Sequence, residues 1–217
     1  MRIEVTGLDS RAKFYSAGAS AVVPREQHPA AYLNHLNRWS DSMPYTAKQV
    51  ANEFLELANR EGRKLTPMQL QKLVYFAYGW YLAITGERLL DERVEAWQWG
   101  PVIPSLYSEF KAYGSGPITD LAAEYSFQGT KMTFQYPRIG SDDPARDDFA
   151  RRVIAKVWNI YGRYSGIQLS EMTHAANSPW SQSYDENVRG TDIDDDVIKQ
   201  YFKQVANQNA GQPAAVR

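Results

Sequence analysis

From residue 46 onward, apolar positions recur along most of the chain at helical spacing. Val50, Ala51, Phe54, Leu57 and Ala58 fall on one helical face. Thr46-Ala47-Lys48-Gln49 ahead of them has the form of a capping box, in which the threonine hydroxyl accepts an amide of the first turn and the glutamine reaches back. Gly62 supplies a left-handed stop. Thr66-Pro67-Met68-Gln69 repeats the device, with proline at the first helical position, where its missing N–H costs nothing. The helix predicted over 67–85 ends at Gly86. Leu70, Leu73, Val74, Ala77, Tyr81 and Ile84 make its stripe, and Phe76 and Trp80 widen it. A helix apolar over so much of its circumference belongs at the centre of a core.

Two stretches change to period two. Val94 to Trp99 alternates and is rich in aromatic residues, which predicts a strand over 94–99 ended by Gly100-Pro101. Tyr125 to Tyr136 alternates around Gln128-Gly129-Thr130-Lys131, the pattern of a hairpin. Pro104 opens another helix, with Leu106, Tyr107, Phe110 and Tyr113 expected inward. Ser141-Asp142-Asp143-Pro144 caps a long helix carrying Phe149, Val153, Ile154, Val157, Trp158 and Tyr161. A short helix spans 167–173, and Asp192 to Asp196 precede a last one with Val197, Ile198, Tyr201, Phe202 and Val205. The expected fold class is mainly α with a small β element (α+β): a compact helical domain around the 67–85 helix, with short strands near 94–99 and 125–136.

The same pattern sets the expected boundaries. Residues 1–42 show no sustained period. A helix over 29–39 is plausible there, because Ala30, Leu33, Leu36 and Trp39 recur at three-residue spacing. This stretch is either a flexible N-terminal extension or an upstream translation ahead of Met43. Residues 43–205 form the domain, and 206–217, polar and small, a flexible tail.

Composition narrows the chemistry. The 217 residues are 43% apolar and 23% charged, with a formal net charge of −1, as in an ordinary globular chain. There is no cysteine, which excludes disulfides, thiolate metal sites and thiol nucleophiles. Mean hydropathy is −0.52. The longest apolar-rich stretch, 70–84, is interrupted by Gln71, Lys72 and Gly79, so no bilayer span of about 20 apolar residues is expected. The near-neutral charge speaks against a duplex-DNA or anionic-membrane partner, and Arg151 and Arg152 alone are weak support for operator binding. A cytoplasmic protein is expected.

No catalytic constellation, cofactor motif or metal site stands out. No phosphate loop, G-x-G-x-x-G or H-E-x-x-H occurs. A serine triad would take His174 as base with Ser170, Ser178 or Ser181, yet no nucleophile elbow frames any of them. The favoured reading is that His174 ends the short helix, its N–H or its positive form meeting free carbonyls. Asp192, Asp194 and Asp196 alternate as in a calcium loop, but Val197 and Lys203 stand where glycine and glutamate are needed. A helix cap is favoured there, and for Asp142, Asp143, Asp147 and Asp148. The chain is not expected to be an enzyme.

Aromatic density is the unusual feature. Ten rings fall between Tyr75 and Tyr113. Most are expected in the core, with a minority, among Tyr78, Trp80 and Trp99, exposed. Tyr78, Trp80, Trp99 and Tyr113 are the candidate partner-binding residues, because Tyr and Trp are favoured as interface anchors.

Leu70-Gln71-Lys72-Leu73-Val74-Tyr75-Phe76-Ala77-Tyr78-Gly79-Trp80-Tyr81 resembles the signature helix of the Panacea domain, a SocA-like, phage-associated family. The resemblance continues through Ala96-Trp97-Gln98-Trp99-Gly100-Pro101-Val102, Leu169-Ser170, Thr173-His174 and Ser178-Pro179-Trp180 to about Phe202; it does not take in residues 1–42 or the 125–136 hairpin. It implies an antitoxin of a type II-like toxin–antitoxin pair, encoded in a bacterial, phage or prophage operon. Such a protein neutralises a cognate protein toxin, the product of the adjacent gene, by direct binding. The alternative it implies is a proteolytic adaptor that carries the toxin to an AAA+ protease; a small-ligand enzyme ranks below both. It implies no catalytic residues and no cofactor. Residues 1–42 are expected to order on toxin binding.

Overall fold

The computed structural model describes residues 43–210. Residues 1–42, with the helix expected over 29–39, and residues 211–217 lie outside the described residues.

The helices are α1 (Ala47–Arg60), α2 (Pro67–Thr85), α3 (Pro104–Phe110), α4 (Pro144–Tyr161), α5 (Gly166–Thr173), α6 (Pro179–Ser183) and α7 (Asp195–Ala210). The strands are β1 (Glu95–Trp97), β2 (Gly100–Val102), β3 (Glu124–Gln128), β4 (Lys131–Gln135) and β5 (Thr191–Asp192). The mainly helical α+β class read from the sequence is the observed one.

Local chemistry fixes the ends of the elements. Thr46 with Gln49, and Thr66 with Gln69, form complete capping boxes, and Gly86 closes α2 in the left-handed region at φ 80°. Asp143 caps α4 by accepting from the amides of Ala145 and Arg146. Asp194 Oδ1 does the same for Asp196 and Val197 at the head of α7. α7 continues to Ala210, into the segment expected to be tail.

α2 is the axis of the molecule. Every residue from Leu70 to Ala83 is buried, so the helix is covered all round rather than along one stripe. α1, α3, α4, α5 and α7 all pack on it. Its tightest contact is with α7: a Cβ on Gly79 would stand 2.1 Å from the Phe202 ring. Phe202 in turn meets Trp80 edge-on at 5.2 Å, while Phe76 stacks on Tyr161 at 4.4 Å.

The segment expected as one strand over 94–99 is a hairpin. β1 pairs antiparallel with β2, Trp97 opposite Gly100, across the two-residue turn Gln98-Trp99. Gly100 makes this possible with φ +97°, which an L side chain rarely adopts. Pro101 therefore continues into a strand instead of ending one. It is tolerated because β2 is an edge, in a sheet of order β2-β1-β5. Two residues of β5 complete that sheet, too few to leave a periodic signal. β3 and β4 form the expected second hairpin, Gln128 opposite Lys131.

Tyr107 does not point inward as expected, and Tyr113 does so only in part. Leu106 and Phe110, four apart, hold the inward face of the seven-residue α3, so Tyr107 falls beside it. The 3-10 turn over Lys111–Tyr113 changes the period before Tyr113, which packs partly on the core. Tyr107 is left exposed and Tyr113 half-buried.

Candidate functional site

A cleft of about 610 Å³ opens between the first turns of α2, the β1–β2 hairpin, Tyr107 of α3 and the loop 184–190. Its apolar walls include Pro67, Met68, Trp97, Trp99, Val102 and Val188. Trp99, at the hairpin turn, is 63% exposed.

Two sequence motifs that lie far apart in the chain meet at that turn. Ser170 on α5 donates its hydroxyl to the Trp99 carbonyl at 2.8 Å, and Trp180 on α6 donates its indole N–H to the Trp97 carbonyl at 2.7 Å. Thr173 donates to the Ser170 carbonyl at 2.7 Å and lies against Gly100, where a Cβ would stand 2.6 Å from its hydroxyl oxygen. Ala96–Val102 and Leu169–Trp180 are thus one unit, with the second motif pinning the turn that presents Trp99.

Lys72 reaches the cleft from α2. It is 2% exposed, and its Nζ donates to the Pro101 carbonyl at 2.9 Å. Burial pulls its pKa down to about 7, and no neighbouring charge offsets that. Gly100 leaves the room it occupies, since a Cβ there would stand 2.7 Å from Nζ. Beside it, Gln71 satisfies both its groups on Ile103, donating to the carbonyl and accepting from the amide, each at 3.0 Å. The sequence signal for this pair was two polar residues within a helix otherwise buried on every side.

The expected exposure holds for Trp99 and fails for Tyr78 and Trp80. Both of the latter are buried because α7 lies across that side of α2: the Tyr78 hydroxyl donates to Asp195 at the head of α7, and Trp80 packs on Phe202. Tyr113 is half-buried near the cleft, its hydroxyl donating to Asp120 at 2.9 Å.

A second apolar surface lies on the β3–β4 hairpin, outside the candidate set. Tyr125, Phe127, Met132, Phe134 and Tyr136 occupy one face of the ribbon and are 45–71% exposed.

The weaker candidates resolve into structural roles. His174 caps α5 and packs on Trp180 at 3.9 Å. Burial first, and then the Lys72 charge, lower its pKa, which disfavours the positive form at the helix end. Its Nε2 finds no hydrogen-bond partner among the described residues, and Ser170, Ser178 and Ser181 bond elsewhere. Asp147 accepts from the Tyr45 hydroxyl at 2.6 Å and from Ser141. Burial pushes its pKa up, but these hydrogen bonds together outweigh it and hold the carboxyl below its ordinary value. Asp192 pairs with Arg93, Asp195 with Arg88 and Asp196 with Lys199. Among the described residues no group of three or more His, Asp or Glu could hold a metal ion, and no helix is long and apolar enough to cross a membrane.

Comparison with known proteins agrees with the motifs. The family described as antitoxin SocA-like, Panacea domain, matches residues 70–181, from the central helix through the Trp180 pin. Antitoxin SocA of Caulobacter vibrioides (strain NA1000 / CB15N) is 32% identical over 170 residues, covering 75% of this chain and 85% of its own. No solved structure matches. On both the family match and the length of the curated likeness, the chain belongs to the SocA-like, Panacea-domain antitoxin family.

Proposed function

We propose that this protein is an antitoxin that neutralises a cognate protein toxin, the product of the adjacent gene, by binding it directly. The observation that carries the reading is the likeness to Antitoxin SocA, which extends across 85% of that protein. The geometry adds a place for contact. Trp99 stands 63% exposed on a turn held by Ser170 and Trp180, so docking against it costs little ordering entropy. A large ring on a rigid support at the mouth of an apolar cleft is the kind of anchor that dominates an interface. Trp99, with Tyr113 next in the chain to Gly114 of the cleft wall, is the proposed contact, and residues 43–205 are the proposed binding unit. The action is stoichiometric and needs no catalytic group, cofactor or nucleic acid, and its setting is the cytoplasm.

The test is growth rescue. Induction of the adjacent reading frame alone is expected to arrest growth, and co-expression of the full chain to restore it. Trp99→Ala is expected to abolish rescue while the protein still accumulates. Rescue lost on Phe127→Ser with Phe134→Ser, but retained in Trp99→Ala, would move the contact to the β3–β4 ribbon. Rescue confined to hosts with an intact AAA+ protease would replace blocking by delivery. No rescue by the full chain would sink the antitoxin reading.

A further inference from the structure

Lys72 is an amine placed where a protein seldom leaves one without a counter-charge. It is 2% exposed, its one recorded hydrogen bond is to the neutral Pro101 carbonyl, and no carboxylate lies within ion-pair distance among the described residues. A lysine has three donors, so its bonding is incomplete. The surrounding elements carry charged groups that answer to other partners. His174 at the end of α5 packs on Trp180 and its pKa is lowered by burial and by Lys72, Glu95 on β1 accepts from the Trp97 indole at 2.7 Å, Asp185 accepts from Asn187, and Arg189 lies over the Trp97 ring at 5.8 Å. Glu186 is the remaining carboxylate of the cleft wall. The cleft wall mixes apolar and aromatic groups, Met68, Trp97, Trp99 and Val188 among them, with polar ones, and its 610 Å³ suits a side chain or two of a peptide.

We propose that this cleft receives a segment of the toxin carrying an acidic side chain next to an apolar one, the apolar group seated between Trp99 and Val188 and the carboxylate paired with Lys72 Nζ. The inference rests on the antitoxin reading and names the chemistry of the partner at that site. The carboxylate supplies the missing charge beside an amine that is itself 2% exposed, and a hydrogen bond between charged partners is stronger than one to a neutral carbonyl. Gly100 and Pro101 keep the amine in place: the missing side chain of the first leaves it space, and the carbonyl of the second orients it.

Pairing with a carboxylate favours the charged amine, so binding takes up a proton wherever free Lys72 is neutral. From a free pKa of about 7, the complex is expected to weaken about 25-fold between pH 6.5 and pH 8.5 by linkage. The experiment is calorimetric titration of the full-length chain with the purified product of the adjacent gene at those two pH values, using wild type, Lys72→Met and Lys72→Gln. Two substitutions are included in case one fails to fold. A parallel scan replaces the toxin's Asp and Glu residues one at a time with Asn and Gln.

The expected result is at least tenfold weaker binding by both Lys72 variants at pH 6.5, loss of most of the pH dependence, and one toxin carboxylate whose removal has the same effect and adds nothing in a Lys72 variant. Binding by the variants equal to wild type at both pH values, or a scan in which no carboxylate matters, would overturn the inference and leave the antitoxin reading standing. Wild type that binds at neither pH would remove both.

Discussion

Two residues of the central helix carry opposite constraints. Gly79 is there because Phe202 is there. Gly79→Ala would drive a methyl group to within 2.1 Å of that ring, so α2 and α7 would have to separate. The expected loss is about 1–3 kcal/mol, the usual cost of overpacking, read as a lower urea midpoint with an unchanged slope. Lys72 works the other way, costing stability when charged. Its folded pKa of about 7 lies below the ordinary 10.5. Below pH 7 the amine is protonated in both states. Between the two values the unfolded chain holds the extra proton, so stability rises with pH across that window. Lys72→Met is expected to remove this rise between pH 7 and pH 9 in urea titrations; a variant with the wild-type slope would contradict it. Tyr45 gives the acid-side counterpart. Its hydroxyl helps hold Asp147 ionised, and that stability is present at neutral pH and lost as pH falls through the folded pKa of the carboxyl. Tyr45→Phe is expected to cost about 1.5–3 kcal/mol near pH 7, as for a hydrogen bond to a charged group, and less, about 0.5–1.5 kcal/mol, once Asp147 is protonated and the bond joins neutral groups.

At the scale of elements, the β1–β2 hairpin is the feature whose integrity the site depends on, and its support comes from α5 and α6. Ser170→Ala frees the Trp99 carbonyl from its donor. It is expected to cost about 1 kcal/mol and to broaden the turn's backbone amide signals in NMR spectra, while the β3–β4 amides stay unchanged. This support also marks where sequence reasoning ran out. The capping boxes at Thr46 and Thr66, the Asp143 cap and the stop at Gly86 were legible because each is a local bargain among four or five residues. The return of the chain at Gly100 was not, because Gly-Pro is as good a terminator as a turn. β5 was hidden by its length. The burial of Tyr78 and Trp80 depends on where α7 lands, more than a hundred residues later, and no period within α2 encodes that. The crowding of rings between Tyr75 and Tyr113 says that a few must be exposed, but it does not single out Trp99 from Tyr78 and Trp80; the hairpin turn does. Lys72 was visible only as an interruption of an apolar helix, and its meaning needed the position of Pro101.

The described residues present two apolar surfaces around a helix buried from Leu70 to Ala83: the Trp99 cleft and the outer face of the β3–β4 ribbon. A two-stranded ribbon has little stability of its own, and this one is anchored at its base by Asn52, which donates to the carbonyls of Ala122 and Pro137, each at 3.0 Å. The Trp99 turn is braced from behind by two helices and lines a cleft that holds the buried amine of Lys72, which is why it is the proposed toxin contact. An exposed ring contributes little to folding, and Trp99→Ala is expected to shift stability by no more than about 0.5 kcal/mol. The most direct measurement is the dissociation constant of the full-length chain for the purified product of the adjacent gene, compared between wild type and Trp99→Ala of equal thermal stability. Wild type is expected to form a defined complex, and the variant to bind about 30-fold or more weakly, as for an interface hot spot. A wild-type complex that the substitution leaves intact would contradict the placement of the site, and the absence of any wild-type complex would contradict neutralisation by binding.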